Sequence, residues 1–277
     1  PGGRARETAG GLSRRRLFVS TMTLRRVSSR RRQIKLNGGL AMRYFIATAC
    51  LAGSCAALAA NDYREVKVLR VEAGGLETLV IDVGEGNLNV RGVPGQDQVE
   101  VRATIVVDDA DAEEGQEFIA ERVELHLDRA GNSAHLVSSV DQMMFSWGSD
   151  GRVDIEVTVP PGLAMRIHDG SGSIEVADIV ADIAIRDGSG SIEVRSVGNL
   201  EIDDGSGSVD VSGVDGDVFI TDGSGSLTIS SVSGSVTIDD GSGGIRVHGV
   251  GKDLVIIESG SGSVSFSDIE GSVEQER

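Results

Sequence analysis

The sequence predicts an all-β fold, a single-stack β-solenoid with about 18 residues and two short strands per coil, capped by an irregular β insertion. Three observations carry that prediction. The pentapeptide Asp-Gly-Ser-Gly-Ser begins at Asp169, Asp187, Asp204 and Asp222, and recurs in altered form at Asp240 and Ser259, at steps of 18, 17, 18, 18 and 19 residues. Self-similarity at so short a period marks a solenoid, in which a coil buries its apolar face only against the next coil. Aligning the copies on their glycines gives five columns, 5, 7, 10, 14 and 16 residues after the repeat Asp, in which 29 of 30 positions are large and apolar. Finally, these columns are rich in β-branched residues, and no stretch of the repeat has helical spacing.

The elements of the coil follow in order. The first two columns, Ile174 to Val264 and Val176 to Phe266, lie two residues apart and make one strand with alternate side chains inward. A lone third column runs from Ile179 to Ile269 after a short turn. The fourth and fifth, Ile183 to Val273 and Ile185 to Gln275, make the second strand, with Gln275 the one polar exception. The glycines fall where the chain must reverse, which favours a residue free of a Cβ. An earlier coil is expected at Gly84-Glu85-Gly86-Asn87, followed by Leu88, Val90, Val93, Val99 and Val101 as its five columns.

The chain divides accordingly. Residues 1–41 carry 11 Lys or Arg against the single acid Glu7 and read as upstream sequence translated from an early start. Residues 42–60 have one positive residue, Arg43, a short apolar core and the small-residue end Ala57-Leu58-Ala59-Ala60, the make-up of a secretory signal peptide. Residues 61–106 hold N-terminal strands and the first coil, 107–166 a cap or insertion, and 167–277 six tandem coils. Within the insertion, Asp108 to Glu121 has room for a short helix, and Val123 to Leu127 with Ala134 to Val140 flank Ala130-Gly131-Asn132-Ser133 as a hairpin.

Charge and cysteine content narrow the function. Both cysteines, Cys50 and Cys55, lie in the export segment, so a chain cleaved after it has no thiol chemistry. Ala52-Gly53-Ser54-Cys55 offers a second outcome, cleavage before Cys55 and lipidation of that residue. From residue 61 onward 42 acids face 14 basic residues, a net charge of −28. That argues against nucleic acid and anionic lipid as partners and favours solubility, cations or a positively charged surface. With the export segment removed, no transmembrane span is expected.

Val157-Thr158-Val159-Pro160-Pro161-Gly162-Leu163, followed by a strand, by repeated Gly-Ser-Gly-Ser-Ile-Glu-Val and by Asp217-Val218-Phe219-Ile220-Thr221, resembles the bacterial putative adhesin domain family of unknown function over about residues 75–277. The resemblance implies an exported β-solenoid, in the periplasm or at the outer membrane or cell surface, with a binding or structural role and an envelope protein or glycan as partner. It supplies no catalytic residue.

Enzyme chemistry finds little support in the residues themselves. The columns do not keep the six-residue phase of hexapeptide acyltransferases. No Gly-x-Ser-x-Gly elbow leads into a helix, and the same lack of helices removes phosphate-cradling loops. His126, His135, His168 and His248 are scattered, without metal-ligand spacing. The expectation is a non-enzymatic structural or adhesive module of the bacterial envelope, without cofactor.

The alternative is a calcium-binding β-roll-like module in which Asp169, Asp187, Asp204, Asp222 and Asp240 stack as a carboxylate ladder and a cation relieves their repulsion. Against it stands the expectation that each Asp caps its own turn while solvated. Two partner contacts are open: the cluster Met143, Met144, Phe145 and Trp147, either cap core or contact loop, and the outward column Ala184, Glu201, Phe219, Thr237 and Val255, less polar than its counterpart Glu175, Glu193, Asp210, Thr228 and Arg246. Self-association through that face or through a solenoid end would use the same surfaces.

Overall fold

The computed structural model describes residues 62–141 and 150–276. The basic tract, the segment expected to direct export, with Cys55, and the cluster Met143, Met144, Phe145 and Trp147 lie outside the described residues.

The tandem coils alternate short and longer strands. β1 to β7 (Tyr63–Glu72, Thr78–Gly92, Gln98–Val107, Val123–Ala130, Ser133–Val140, Gly151–Val159, Ala164–Ile179) precede them, with one helix, α1 (Ala112–Arg122), after β3. The coils then run β8 (Ile183–Asp187), β9 (Gly190–Val197), β10 (Leu200–Asp204), β11 (Gly207–Val214), β12 (Val218–Asp222), β13 (Gly225–Val232), β14 (Val236–Asp240), β15 (Gly243–Val250), β16 (Leu254–Glu258), β17 (Val264–Ile269) and β18 (Val273–Gln275).

Each strand pairs in parallel with its equivalent one coil away, so like stacks on like. Ile185, Ile202, Ile220 and Ile238 are successive register partners, as are Ile192, Val209, Leu227 and Ile245. Rungs lie about 4.8 Å apart. The third column belongs to the longer strand rather than to a separate turn. In the second tandem coil Ser196, at φ 55°, bends the strand so that Val197 points inward three residues after Val194. Asp178, Gly213, Ser231, Gly249 and Asp268 hold the same left-handed corner.

The Gly-Ser-Gly turn is packed backbone on backbone. A Cβ on Gly207 would sit 1.7 Å from the carbonyl oxygen of Gly190, and one on Gly225 equally close to that of Gly207. The second glycine of each pentapeptide is therefore required by the stacking distance itself.

The early coil forms, with a different second strand. β2 stacks on β7 along its whole length, so Leu88 and Val90 fill the first two columns as expected. The fourth and fifth columns are filled by Leu79 and Ile81, which precede the glycines, and not by Val99 and Val101. The reason is the turn at Pro94-Gly95, closed by the Gln96 N–H to Val93 carbonyl bond at 3.1 Å with Gly95 at φ 84°. It reverses the chain, and β3 returns antiparallel to β6 and β1.

The insertion extends the same columns before closing them. β5 stacks in parallel under β2 with Ala134 and Leu136 beneath Leu79 and Ile81, and β6 does so with Ile155 and Val157 beneath Leu88 and Val90. Antiparallel β4 covers the edge of β5, as the expected hairpin, while β3 and β1 cover that of β6. Helix α1, capped by Asp111 and Glu114 in a reciprocal capping box, packs on β1, β3 and β4 with Phe118 and Ile119 buried. Among the described residues, this end is thus covered by antiparallel strands and a helix, with β1 and β4 as its outermost strands. At the other end β17 and β18 are covered on one side only among the described residues, and Phe266 is 44% exposed although it occupies a core column.

Candidate functional site

Two features of the coils stand apart from packing: an interior column of carboxyl groups and a groove on one outer face. The column comes from strand parity. In β8, Ile183 and Ile185 point inward, so Asp187 does too, and the same holds for Asp169, Asp204, Asp222 and Asp240. They are register partners from coil to coil. Their exposure falls along the stack from 9% at Asp169 through 6%, 2% and 2% to 0% at Asp240.

The expected turn-capping bond is present in three of the five, and all five carboxyls are buried and not solvated. Oδ1 of Asp204, Asp222 and Asp240 accepts the backbone N–H of Ser206, Ser224 and Ser242 at 3.2, 3.1 and 3.0 Å. Oδ2 of all five is buried without a hydrogen-bond partner, and so is Oδ1 of Asp187. Burial first, then repulsion from Asp187, raises Asp169 to about 6. Burial, then Asp204 and Asp240, raises Asp222 to about 6. Asp187, Asp204 and Asp240 are also pushed up, again by burial above all.

A calcium ion takes six to eight oxygens. Among the described residues, no three or more His, Cys, Asp or Glu side chains are placed to hold one metal ion. The five carboxyls do stack in register from coil to coil.

The groove lies on the face made by β8, β10, β12 and β14. Arg166, Ala184, Glu201, Phe219 and Thr237 follow one another in register along it. Beside them runs the turn column Asp182, Asn199, Asp217 and Ser235, and together they line a groove of about 700 Å³. Phe219 is 43% exposed within it.

The groove edge is fixed by bonds between coils. Asn199 Nδ2 donates to Asp182 Oδ1 at 2.8 Å, the Asp217 N–H donates to Asn199 Oδ1 at 2.9 Å, and the Ser235 N–H donates to Asp217 Oδ1 at 2.8 Å. Farther along, Ser272 donates from both N–H and Oγ to Asp253 Oδ1, which holds that carboxyl below its ordinary range. Asp217 also meets Lys252 Nζ at 3.6 Å. Each side chain thus spends one oxygen on the next coil, and Asp182 and Asp217 keep a second oxygen beyond those bonds.

No protein-family model matches the chain, and no curated protein matches it. Among solved structures it is similar to a putative cell adhesion protein from Clostridium sporogenes, at 14% identity and TM-score 0.32 over 77% of this chain and 100% of that one. It is similar also to a putative adhesin from Bacteroides fragilis, at 11% identity and TM-score 0.32 over 76% and 97%. A third, a putative lipid binding protein from Parabacteroides distasonis, matches at 12% identity and TM-score 0.28 over 79% and 98%. The structural neighbours are bacterial proteins named as adhesins or lipid binders.

Sequence reasoning had Phe219 and its column as an outward face and the aspartates as a ladder. It missed that the ladder points inward. The signal was available: the repeat Asp stands two residues after the fifth column, on the same side of the strand. Arg166 and the turn column join the groove only because the coil closes and sets the turn beside the face.

Proposed function

We propose that this chain is a non-enzymatic adhesive module of the bacterial cell envelope, and that its contact face is the groove over β8, β10, β12 and β14. The observation that carries this reading is Phe219, a large aromatic side chain left 43% exposed amid ordered hydrogen-bonding groups on a rigid face. An aromatic body flanked by amide, hydroxyl and carboxylate acceptors is the usual anatomy of a binding surface. Asp182, Glu201 and Asp217 outnumber Arg166 along the groove. That balance suits a neutral or amine-bearing glycan and repels an anionic polymer. No helix among the described residues is long and apolar enough to cross a membrane, and export with attachment at the envelope is part of the same reading. Self-association through the last coil would bring Glu270, Glu274 and Glu276 of two copies together, which repulsion opposes.

Binding of the purified protein to neutral, amine-bearing and anionic polysaccharides tests the proposal. The expected result is retention on one of the first two, reduced about tenfold or more by Phe219→Ser, with unchanged circular dichroism. Retention indifferent to Phe219→Ser, or binding to none of the three, overturns it.

A further inference from the structure

The groove leaves unused the feature that most sets this interior apart from an aliphatic one. Five carboxyl groups stand in one file, one rung or about 4.8 Å apart, each with a buried oxygen that has no partner. A carboxylate only accepts hydrogen bonds, so five in a row supply no donor to one another.

Among the described residues, the cationic neighbours of the file face away from it. Arg186, next to Asp187, points outward and pairs with Asp203 at 3.6 Å. His168, next to Asp169, is on the outer side of its strand with Asp82 at 3.1 Å. Asp203 and Asp239, beside Asp204 and Asp240, add further negative charge. The file begins above Val83, the register partner of Asp169 in β2. It ends where the pairing of β14 with β16 slips, so that Glu258 pairs with Asp239 and stands exposed. What can neutralise the file from within is a proton.

We propose that Asp169, Asp187, Asp204, Asp222 and Asp240 form a proton-loaded column, which makes the coil stack most stable in mild acid and loosens it as the pH rises to neutral. Each proton taken up converts one carboxylate oxygen into a donor, cancels one charge and adds nothing else. The raised pKa values give the direction. The folded column holds protons that the unfolded chain, with aspartates near 3.8, has already released. Its contribution is therefore complete below about 3.8 and is lost as the pH passes through about 6.

Thermal melting of the purified protein at stepped pH from mildly acidic to slightly alkaline, with chelator or with millimolar calcium, tests this. The expected melting temperature falls by roughly 10 °C across the range, equally in both media. Asp204→Asn with Asp222→Asn together should raise the neutral-pH midpoint and flatten the slope. Asp210→Asn, an exposed outward position, should leave the slope as it was. If the double variant keeps the wild-type slope, the pH dependence belongs to overall charge and the proposal fails. If calcium restores the neutral-pH midpoint, the occupant is a metal ion and the proposal fails likewise.

Discussion

Asp204 and Asp222 are register partners at the ends of β10 and β12, one rung apart, and each is only 2% exposed. Two groups so buried cannot both carry full charge without cost, since burial removes the bulk solvent that would screen one from the other. The first five tandem coils thus have six inward columns, five aliphatic and one of carboxyls.

Val83 shows that the sixth column accepts an aliphatic side chain, because it occupies that position one rung before Asp169. Asp187→Val should therefore stabilise the protein at neutral pH, by about 1–3 kcal/mol, since burial of its carboxyl outweighs its weak contacts with the Gly188 and Ser189 N–H groups. Asp240→Val also removes the acceptor of the Ser242 N–H and should gain less. Chemical denaturation of both variants at neutral pH checks the order.

The two kinds of glycine in the coil should fail differently. Gly207→Ala drives a Cβ to 1.7 Å from the Gly190 carbonyl oxygen, and a loss above about 4 kcal/mol or outright misfolding is expected. Gly213→Ala meets nothing nearer than 3.5 Å and bears only the left-handed backbone at φ 69°, a cost of roughly 1–2 kcal/mol. Urea midpoints of the soluble variants measure the difference.

Position along the stack should matter as much as chemistry. Ile220→Ala opens a cavity between two rungs at a fully buried site and should cost about 2–5 kcal/mol. Phe266→Ala removes a larger side chain from the open rung, where Phe266 is 44% exposed, and should cost about 1 kcal/mol. Equal losses would mean that the last coil is covered in solution.

Asn199 holds the groove edge through two bonds, to Asp182 and to the Asp217 N–H. Asn199→Ala should cost on the order of 1 kcal/mol in stability and weaken glycan retention, while Asn199→Asp should keep the Asp217 bond but set two carboxylates side by side. Melting and retention assays on both variants separate the structural role from the binding role.

The fold was legible because a fixed period and a two-residue alternation both survive in the letters, so Ile174, Val176, Ile183 and Ile185 announce their side of the strand. The early coil was read forward from its glycines. Leu79 and Ile81 lie before them, and Pro94-Gly95 diverts what comes after, a local turn overriding a repeat. The aspartates were misplaced because Asp before Gly is a familiar turn signal. Here the residue both ends an inward-facing strand and caps the turn. The groove required two columns, 182 to 235 and 166 to 237, to be set side by side, which only coil closure does.

Site-resolved NMR titration of the side-chain carboxyl carbons of Asp169, Asp187, Asp204, Asp222 and Asp240 tests the carboxyl column most directly. The predicted result is midpoints near 6 for Asp169 and Asp222, with the other three also raised. Five independent midpoints at the ordinary aspartate value of about 3.9 would contradict it.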